Sequence, residues 1–422
     1  MTALWIGLAV GLTALGVLIA LNLTSRQLSV ERRIEHLYDT EDPHFARVMG
    51  SLLGPALLEG NRVTALRNGD RIFPSMLEAI RAARRTVNFE TFIYWSGNIG
   101  REFAEALSER ARAGVDVHVL LDWVGAGKMD EELVGMMKEA GVTVIKYHPL
   151  RWYNLGRLNN RTHRKLLVVD GVLGFTGGVG IADEWRGDAQ DPEHWRDSHF
   201  RVEGPVVAQM QSAFLDNWIE TRSEVLHGEE YFPRLQTAGP HCAQLFQSSS
   251  EGGSESVRLM YLMAIAAAAR SIRLANAYFV PDDLAIRLLV EASRRGVDIE
   301  IVVPGRYIDF KIVRKASRSR WGPLLEAGIA IYEFQPTMYH TKVMIVDDLW
   351  VSVGSTNFDS RSFRLNDEAN LNVLDPEFAA ELAAHFEADK RRSRRVTLEA
   401  WRSRPWQEKA RDRLAGLVRK QL

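Results

Sequence analysis

Two short stretches of the sequence carry the same set of reactive side chains. Thr162–Asp170 reads THRKLLVVD and Tyr339–Asp347 reads YHTKVMIVD. Each places a histidine, a lysine two residues later and an aspartate five residues beyond that, which gives His163, Lys165, Asp170, His340, Lys342 and Asp347. Imidazoles can act as nucleophiles or exchange protons, and ammonium groups can neutralise an anionic substrate. The pattern therefore indicates one chemistry carried by two histidines and two lysines.

The surroundings of the two copies also match. Each aspartate is followed after six residues by a pair of small residues, Gly177-Gly178 in the first copy and Gly354-Ser355 in the second. Between lysine and aspartate lie apolar, β-branched runs that are too short for a helix and typical of a buried strand. Residues two apart share one face of a strand, so each histidine and lysine emerge side by side at the strand's start. Chance alone very rarely produces two such copies.

The duplicated stretches resemble the signature of the phospholipase D superfamily, H-x-K-x4-D-x6-G-[SG]-x-N. The second copy fits it fully through Asn357, whereas the first has Gly180 where the pattern has Asn. Within the superfamily the likeness is to bacterial-type cardiolipin synthases, and it covers roughly Gly60 to the C-terminus. The stretches that carry this resemblance are FETFIYW, HRKLLVVDGVLGFTGG, WRDSHFRVEGPVV and STNFDSRSFRLNDEANL.

The resemblance implies chemistry at a phosphodiester, an anion that resists attack by another anion. Lys165 and Lys342 would neutralise its non-bridging oxygens, helped by polar groups at Gly178, Ser355 and Asn357. No cluster of His, Asp or Glu has convincing metal-ligand spacing. We therefore expect neither a metal nor a cofactor.

The two histidines would divide the remaining work. One would attack phosphorus to form a covalent phosphohistidine, and the other would protonate the leaving oxygen and later activate the incoming alcohol or water. The resemblance favours His163 as the nucleophile and His340 as the acid, while the symmetry of the motifs leaves the reverse open. If the two halves pack about a pseudo-twofold axis, both histidines face one shared site.

Two acids downstream of the motifs are candidates for orienting the imidazoles, Asp197 in HWRDSH and Glu368 in NDEANL. The superfamily uses a carboxylate at such a position to hold the imidazole of the same repeat. The resemblance thus assigns Glu368 to His340 and Asp197 to His163, with ordinary surface acids as the alternative.

Three further acids occupy strands or strand ends. Asp170 and Asp347 close apolar strands, and we expect them to orient turns and to bond neighbouring backbone or the motif lysines rather than to transfer protons. Glu90, in FETFIYW, has apolar neighbours on its strand. A buried carboxylate needs a partner, so Glu90 is a candidate for lining the site.

The bulk composition is that of an ordinary globular protein. The 422 residues suffice for two domains, and 46% are hydrophobic and 25% charged. A formal net charge of −1 gives the whole molecule no electrostatic affinity for nucleic acid, so we expect no nucleic-acid partner. A single cysteine, Cys242, excludes an intramolecular disulfide.

The N-terminal segment Ala3–Leu23 contains no charged residue. About twenty residues at ~1.5 Å each span a bilayer core, so the segment predicts a retained transmembrane anchor. A cleaved signal peptide is the competing interpretation, but the segment lacks a charged start and an A-x-A cleavage site. Arg26, Arg32 and Arg33 follow the segment, which favours a single-pass inner-membrane protein with a cytoplasmic catalytic part.

Helix and strand patterns alternate, and their order occurs twice. RAGVDVHVLLD at Arg112–Asp122 is echoed by RRGVDIEIVVP at Arg294–Pro304, and AGVTVIKY at Ala140–Tyr147 by AGIAIYEF at Ala327–Phe334. Together with the resemblance, this predicts an α/β fold with a mixed sheet, built from two tandem phospholipase-D-like α-β-α sandwich repeats that share one active site.

The expected organisation is a transmembrane anchor at 1–24, a linker with a short helix at 25–60, a first repeat at 61–240 and a second repeat with a basic tail at 241–422. The polar stretch Gln247–Ser256 has the composition of a flexible linker, or alternatively forms a loop that lines the site.

Three stretches mix cations with aromatic residues: Arg151–Arg161, Arg306–Trp321 and the tail from Lys390 onwards. Such mixtures suit a lipid headgroup surface and also single-stranded nucleic acid. Beside a membrane anchor they favour a membrane and phospholipid partners. An interfacial helix near the C-terminus fits the same interpretation.

The resemblance implies a phosphatidyltransferase that uses phosphatidylglycerol as donor and acceptor and releases glycerol. The alternatives are a phospholipase D hydrolase, a synthase with phosphatidylethanolamine as donor, a nuclease of the same superfamily and an inactive membrane scaffold. Analysis of products from mixed lipids separates this transferase from the first two alternatives.

Overall fold

One mixed β-sheet runs through both halves of the protein. The computed structural model describes residues 2–23, 34–149, 159–249, 256–417 and 419–421. Within these ranges the strands are β1 (Leu58–Arg67), β2 (Thr86–Thr91), β3 (Asp116–Asp122), β4 (Thr143–Tyr147), β5 (Arg161–Thr162), β6 (Leu166–Val169), β7 (Leu173–Gly177), β8 (Ser198–Glu203), β9 (His241–Ser248), β10 (Ser271–Asn276), β11 (Asp298–Pro304), β12 (Ala330–Phe334), β13 (Lys342–Val346), β14 (Trp350–Gly354), β15 (Asn366–Leu374) and β16 (Ser393–Val396).

The rest of the described chain includes α-helices, several of which cover the two faces of the sheet. Over the same ranges they are α1 (Thr2–Leu23), α2 (Pro43–Leu52), α3 (Gly69–Ala82), α4 (Asn98–Arg112), α5 (Glu131–Glu139), α6 (Val207–Arg222), α7 (Ser256–Ala267), α8 (Asp283–Arg294), α9 (Lys311–Glu326), α10 (Ser360–Arg364), α11 (Pro376–Arg391), α12 (Leu398–Arg402) and α13 (Trp406–Leu417).

The strand order repeats about the centre of the sheet. From the centre outwards the first half reads β1-β8-β7-β6-β2-β3-β4, and the second reads β9-β15-β14-β13-β10-β11-β12, with β16 at its outer edge. β1 and β9 pair antiparallel at the centre, where Asn61 lies opposite His241. The predicted α/β fold with a mixed, duplicated sheet is therefore confirmed, and the sheet is continuous across the two halves. The division of the chain at residue 240 stays a prediction, and the first three residues of β1, 58–60, fall within the expected linker.

The apolar runs of the two motifs form the middle of each half of the sheet. Leu166–Val169 is buried throughout and pairs with β2 and β7, and Lys342–Val346 is buried between β10 and β14. A strand that is buried on both faces has a continuous run of apolar residues, which explains the sequence LLVV in β6 and VMIV in β13.

Side chains of both halves share one layer of the core. Leu166 and Val168 from β6, and Val343 and Ile345 from β13, belong to one buried cluster that α6 and α11 cover. The opposite face of each half has its own cluster beneath the other helices. This shared layer holds the starts of β6 and β13, where the histidines lie, in a fixed relation.

Three predicted segments differ from the structure or lie wholly or partly outside it. Gln247 and Ser248 belong to β9, because they pair with Ala369 and Glu368 of β15, so the predicted linker begins later than expected. Residues 250–255, residues 24–33 and most of the basic stretch Arg151–Arg161 lie outside the described residues.

The N-terminal segment forms the helix α1, of which the structure describes only part of the side chains. Among the described residues, no helix is both long enough and apolar enough to cross a membrane.

Candidate active site

The two motif histidines lie at equivalent positions, just before β6 and β13. The backbone N–H of His163 donates to the carbonyl of Asp367 at 2.9 Å, and that of His340 donates to the carbonyl of Arg196 at 2.8 Å. Each acceptor directly precedes the acid of the opposite half, Glu368 or Asp197. The backbone thus places each histidine beside a carboxylate from the other half of the chain.

The carboxylates pair with the histidines across the two halves. Nδ1 of His163 lies 3.0 Å from both carboxylate oxygens of Glu368, and Nδ1 of His340 lies 2.7 Å from Oδ2 of Asp197. The prediction that each acid holds the imidazole of its own repeat is therefore wrong. Asp197 and Glu368 do bind the imidazoles, but with exchanged partners.

The strand pairing explains the exchange. β5 pairs in parallel with the start of β15, so that Thr162 lies opposite Asp367, and Tyr339 forms the equivalent parallel bridge to Arg196. The residue before each histidine is therefore paired with the residue before the opposite acid. This geometry brings both motifs and both acids together in one candidate site made from the two halves.

The bond to the carboxylate fixes the tautomer of each ring. Because a carboxylate only accepts, Nδ1 carries the proton and Nε2 of His163 keeps its lone pair. Burial lowers the pKa of His163 to about 4, against the raising effect of Glu368. Burial would raise the pKa of Glu368, but His163, Lys165 and Ser355 outweigh it and lower that pKa to about 2. The pair at rest is a neutral imidazole beside an ionised carboxylate.

The second pair differs in the position of its lysine. Nζ of Lys342 lies 3.1 and 3.2 Å from the two ring nitrogens of His340, and it donates to the His340 carbonyl at 2.6 Å. Burial and Lys342 lower the pKa of His340, while Asp197 opposes them. The pKa of Asp197 itself is lowered, because His340 and Lys342 together outweigh the opposite effect of burial.

Both motif lysines are buried at the site. Lys165 donates to the His163 carbonyl at 2.8 Å, and its ammonium lies 5.7 Å from the centre of the Phe92 ring. Burial lowers the pKa of Lys165 to about 7 and that of Lys342 to about 8, and each lysine interacts with both Asp197 and Glu368. The cations of the two halves therefore act on a common region.

The small residues after each motif support the carboxylates. The Ser355 hydroxyl donates to Glu368 at 2.5 Å, and Gly178 packs so closely on Asp197 that a Cβ there would lie 2.2 Å from its Oδ1. Asn357 is buried, and its Oδ1 accepts no hydrogen bond from the part of the protein that the structure describes. At the corresponding Gly180, a Cβ would lie 2.8 Å from Cβ of Ile93. Ile93 fills the space that the asparagine side chain occupies in the second half.

The two motif aspartates bind backbone rather than the lysines. Asp170 accepts from the N–H groups of Arg84, Arg85 and Thr86 at 2.7 to 3.1 Å. Asp347 accepts equivalently from residues 269, 270 and 271 at 2.7 to 3.2 Å, and from the Thr40 hydroxyl at 2.8 Å. These bonds fit the expected structural role of both residues.

Glu90 lies on the far side of Thr162 from the histidine. It accepts from the Thr162 hydroxyl and, at 2.7 Å, from the Asn217 side chain, and its buried Oε2 has no hydrogen bond to any of the described residues. Burial raises its pKa to about 7. Glu90 thus supports the strand that carries His163 and is not placed against the imidazole.

Trp185 is a residue of the site that was not foreseen. Nε1 of Trp185 donates to Asp197 at 2.8 Å, and its ring packs edge-on against His340 with the ring centres 5.3 Å apart. Trp185 has no duplicated counterpart, so the repeat gave no signal for it. In the part of the chain that the structure describes, no group of three or more His, Cys, Asp or Glu could hold a metal ion.

The fold and the site define an α/β protein with a duplicated His-Lys motif that meets in one site. A family model described as "Cardiolipin synthase, PLD-like domain" matches residues 261–390. Cardiolipin synthase 1 of Bacillus anthracis is 32% identical over 86% of this chain and 72% of its own length. Cardiolipin synthase A of Pseudomonas fluorescens is 35% identical over 84% of this chain and 73% of its own length.

A solved phosphatidylserine synthase from Haemophilus influenzae shares the fold, with a TM-score of 0.68, 14% identity and coverage of 87% of this chain and 97% of that one. The chain belongs to the cardiolipin synthase family of phospholipase-D-like phosphatidyltransferases.

Proposed function

We propose that the protein is a cardiolipin synthase that transfers a phosphatidyl group between two phosphatidylglycerol molecules. The crossed histidine–carboxylate pairs support this proposal most directly, because they assemble two oriented imidazoles and two lysines in one site. One half alone holds a histidine without the carboxylate that orients it.

In the first step, Nε2 of His163 attacks phosphorus and the bond from phosphorus to the glycerol oxygen breaks. His340 donates a proton to that oxygen, and glycerol leaves. Within the described residues, no protein group forms a hydrogen bond with Nε2 of His163, whereas Lys342 lies 3.2 Å from Nε2 of His340. This difference supports His163 as the nucleophile.

In the second step, the terminal hydroxyl of another phosphatidylglycerol attacks the phosphohistidine. His340 takes the hydroxyl proton, the phosphorus–nitrogen bond breaks, and cardiolipin forms. Lys165, Lys342 and Asn357 hold the non-bridging oxygens in both steps. An arriving phosphodiester offers Lys342 an anionic acceptor, which draws the ammonium from the His340 ring and opposes the lowering of the His340 pKa.

The test is a reconstituted assay with phosphatidylglycerol vesicles that follows cardiolipin and glycerol together. The wild-type protein should form both in equal amounts, and the His163→Ala and His340→Ala variants should form neither. Phosphatidic acid in place of cardiolipin would establish a hydrolase. If turnover requires added phosphatidylethanolamine, the donor differs from the one proposed.

The nucleophile can be identified by a rapid quench at alkaline pH with phosphatidylglycerol that is labelled in the phosphate. His340→Ala should retain a slowly formed, acid-labile label on the protein, because His163 is intact. His163→Ala should retain none. The opposite distribution would assign the nucleophile to His340.

We also propose that Ala3–Leu23 anchors the protein in the inner membrane with the catalytic part in the cytoplasm, which the uncharged sequence and the following arginines support. Alkaline extraction of membranes should leave the full chain in the pellet. Release of the chain into the supernatant would contradict an integral anchor.

A further inference from the structure

A basic cleft lies between α9 and the C-terminal helices, apart from the catalytic side chains. It consists of two adjoining cavities of about 290 and 560 Å³, which share Arg314, Arg318 and Glu408 in their walls. Within the described part of the chain, nine lysines and arginines line these cavities against three carboxylates. We name this feature the C-terminal cleft. Its charge contrasts with the net charge of −1 for the whole protein.

The carboxylates of the cleft are already neutralised by some of its arginines. Glu333 binds Arg314 and Arg394, while Arg318 binds Glu408. Asp412 binds Arg404 at 2.7 Å. Among the described residues, the remaining cations of the cleft have no acidic partner; they are Arg306, Lys311, Lys315, Arg395 and Arg411. These five charges are available to an anionic ligand.

Large apolar side chains project beside these cations. Phe310 and Ile312 flank Lys311 and are 61% and 43% exposed, and Leu414, one helical turn after Arg411, is 65% exposed. Trp406 and Leu417 of the same helix are exposed as well. Soluble surfaces rarely expose such a group together, and an apolar patch bordered by cations is typical of a surface that lies on a bilayer.

The cleft adjoins the active site through the loop that precedes α9. This loop carries Arg306 and Ile308 in the cleft wall and also Asp309, which accepts a hydrogen bond from the Tyr278 hydroxyl. The charge of Asp309 acts on both His340 and Lys342. A membrane surface held at the cleft would therefore lie beside the catalytic histidine of the second half.

We propose that the C-terminal cleft and its apolar side chains dock on a bilayer rich in anionic phospholipid. The unpaired cations bind lipid phosphates, while Phe310, Ile312 and Leu414 enter the acyl-chain boundary. Aliphatic residues contribute little to stacking on bases, so the mixture favours a membrane over single-stranded nucleic acid. The inference goes beyond the proposed reaction and does not depend on turnover.

The test uses the full chain reconstituted in vesicles and a probe that reports on the cleft rather than on the N-terminal segment. Leu414→Cys, in a Cys242→Ser background, carries an environment-sensitive fluorophore. With phosphatidylglycerol in phosphatidylcholine vesicles, the emission should shift to the blue, and about 1 M salt should reverse the shift because the Debye length falls to ~3 Å. Pure phosphatidylcholine vesicles should give little shift.

Matched charge variants decide whether the C-terminal cleft is responsible for docking on the vesicles. Lys311→Glu, Lys315→Glu and Arg411→Glu together should weaken docking about 100-fold or more. The same number of reversals at exposed Arg81, Arg112 and Lys138 of the first half should have little effect. Lys311→Arg, Lys315→Arg and Arg411→Lys together should preserve docking, which controls for folding.

A blue shift of equal size in both kinds of vesicle, or one that survives the cleft reversals, would overturn the proposal. Loss of the shift on addition of a single-stranded oligonucleotide would assign the cleft to nucleic acid instead. The His163→Ala variant should dock like the wild type, so a failure of the proposed reaction and a failure of this inference are distinguishable.

Discussion

At the scale of single residues, each motif histidine is paired with an acid that lies far from it in the chain. Glu368 follows His163 by 205 residues, and Asp197 precedes His340 by 143. An acid that fixes the tautomer of a histidine acts in the same step as that histidine. The exchanged pairing therefore predicts which acid affects which chemical role.

Glu368→Gln and Asp197→Asn should respond differently to an activated substrate. With phosphatidyl-p-nitrophenol, the leaving group needs no proton donor, so loss of the His340 acid matters little in the first step. In the first turnover, Asp197→Asn should then release a burst of nitrophenol at close to the wild-type rate, whereas the burst of Glu368→Gln should be slower by about 10²–10⁴-fold. With phosphatidylglycerol, both variants should be slow.

The control for this comparison is Glu377→Gln, an exposed acid in the first turn of α11, which should change neither rate. If Asp197→Asn lost nitrophenol release and Glu368→Gln kept it, His340 would be the nucleophile.

The lysines predict a dependence of substrate affinity on pH. Lys165 and Lys342, with pKa values lowered to about 7 and about 8, are charged below these values and neutral above them. Attraction for the phosphodiester is thus complete at low pH and is lost as pH rises through both values. KM for phosphatidylglycerol should rise between about pH 7 and pH 9.

Lys146→Gln removes an exposed lysine that pairs with Glu131, and it should leave this pH profile unchanged. A KM that stayed constant up to about pH 10, near the ordinary pKa of lysine, would show that the motif lysines remain charged in the free enzyme.

At the scale of elements, the motif aspartates tie strand ends together. Asp347 satisfies three backbone N–H groups at the start of β10 and the Thr40 hydroxyl near α2, and its own backbone adopts φ 56°. Replacing one carboxylate oxygen of Asp347 by an amide nitrogen leaves some of these buried donors without an acceptor. The role of Asp347 can therefore be measured as a change in the free energy of unfolding.

Asp347→Asn should lower the free energy of unfolding by about 2–3 kcal/mol, as determined by chemical denaturation of the detergent-solubilised protein. Asp348→Asn is the matched control, because Asp348 has φ 54° but is half-exposed and pairs with Arg273. Its effect should stay below about 1 kcal/mol. Equal losses in the two variants would show that the backbone conformation, and not the capping bonds, is responsible.

The elements also show how much of the fold and of the site could be predicted from the sequence. Repeated spacing predicted both His-Lys pairs and the strands that carry them, and the family resemblance pointed to the two orienting acids. It could not predict the exchange of the acids, because pairing of β5 with β15 depends on which strands meet across the pseudo-twofold axis. Gly180 was visible in the sequence as a departure from the motif. The reason for it is a contact between two loops, in which Ile93 fills the space of the asparagine side chain, and the sequence does not show that contact. Trp185 acts on Asp197 without any repeated signal.

At the scale of the whole molecule, one chain holds the complete site. The sheet is continuous through the β1–β9 pairing, and a shared apolar layer covers β6 and β13 together. The two histidines and their acids are thus fixed within a single chain rather than contributed by two copies.

A mixture of His163→Ala and His340→Ala chains, co-expressed in equal amounts, should therefore form no more cardiolipin than either variant alone. A wild-type chain at the same total concentration provides the reference. Restoration of about a quarter or more of the wild-type rate would instead indicate sites shared between chains, since two of the four random pairings would carry one intact site each.

The crossed pairing also sets the moment at which a growing chain becomes active. His163 leaves the ribosome long before Glu368, and at roughly 5–20 residues per second the intervening 205 residues take about 10–40 s to synthesise. During this interval His163 lacks the carboxylate that fixes its tautomer. Asp197 likewise has no imidazole to bind until His340 has been synthesised. On the proposed mechanism, a nascent or prematurely terminated chain that ends before Glu368 lacks an oriented nucleophile, so we expect its unpaired half-site not to cleave the lipids of the membrane that receives it.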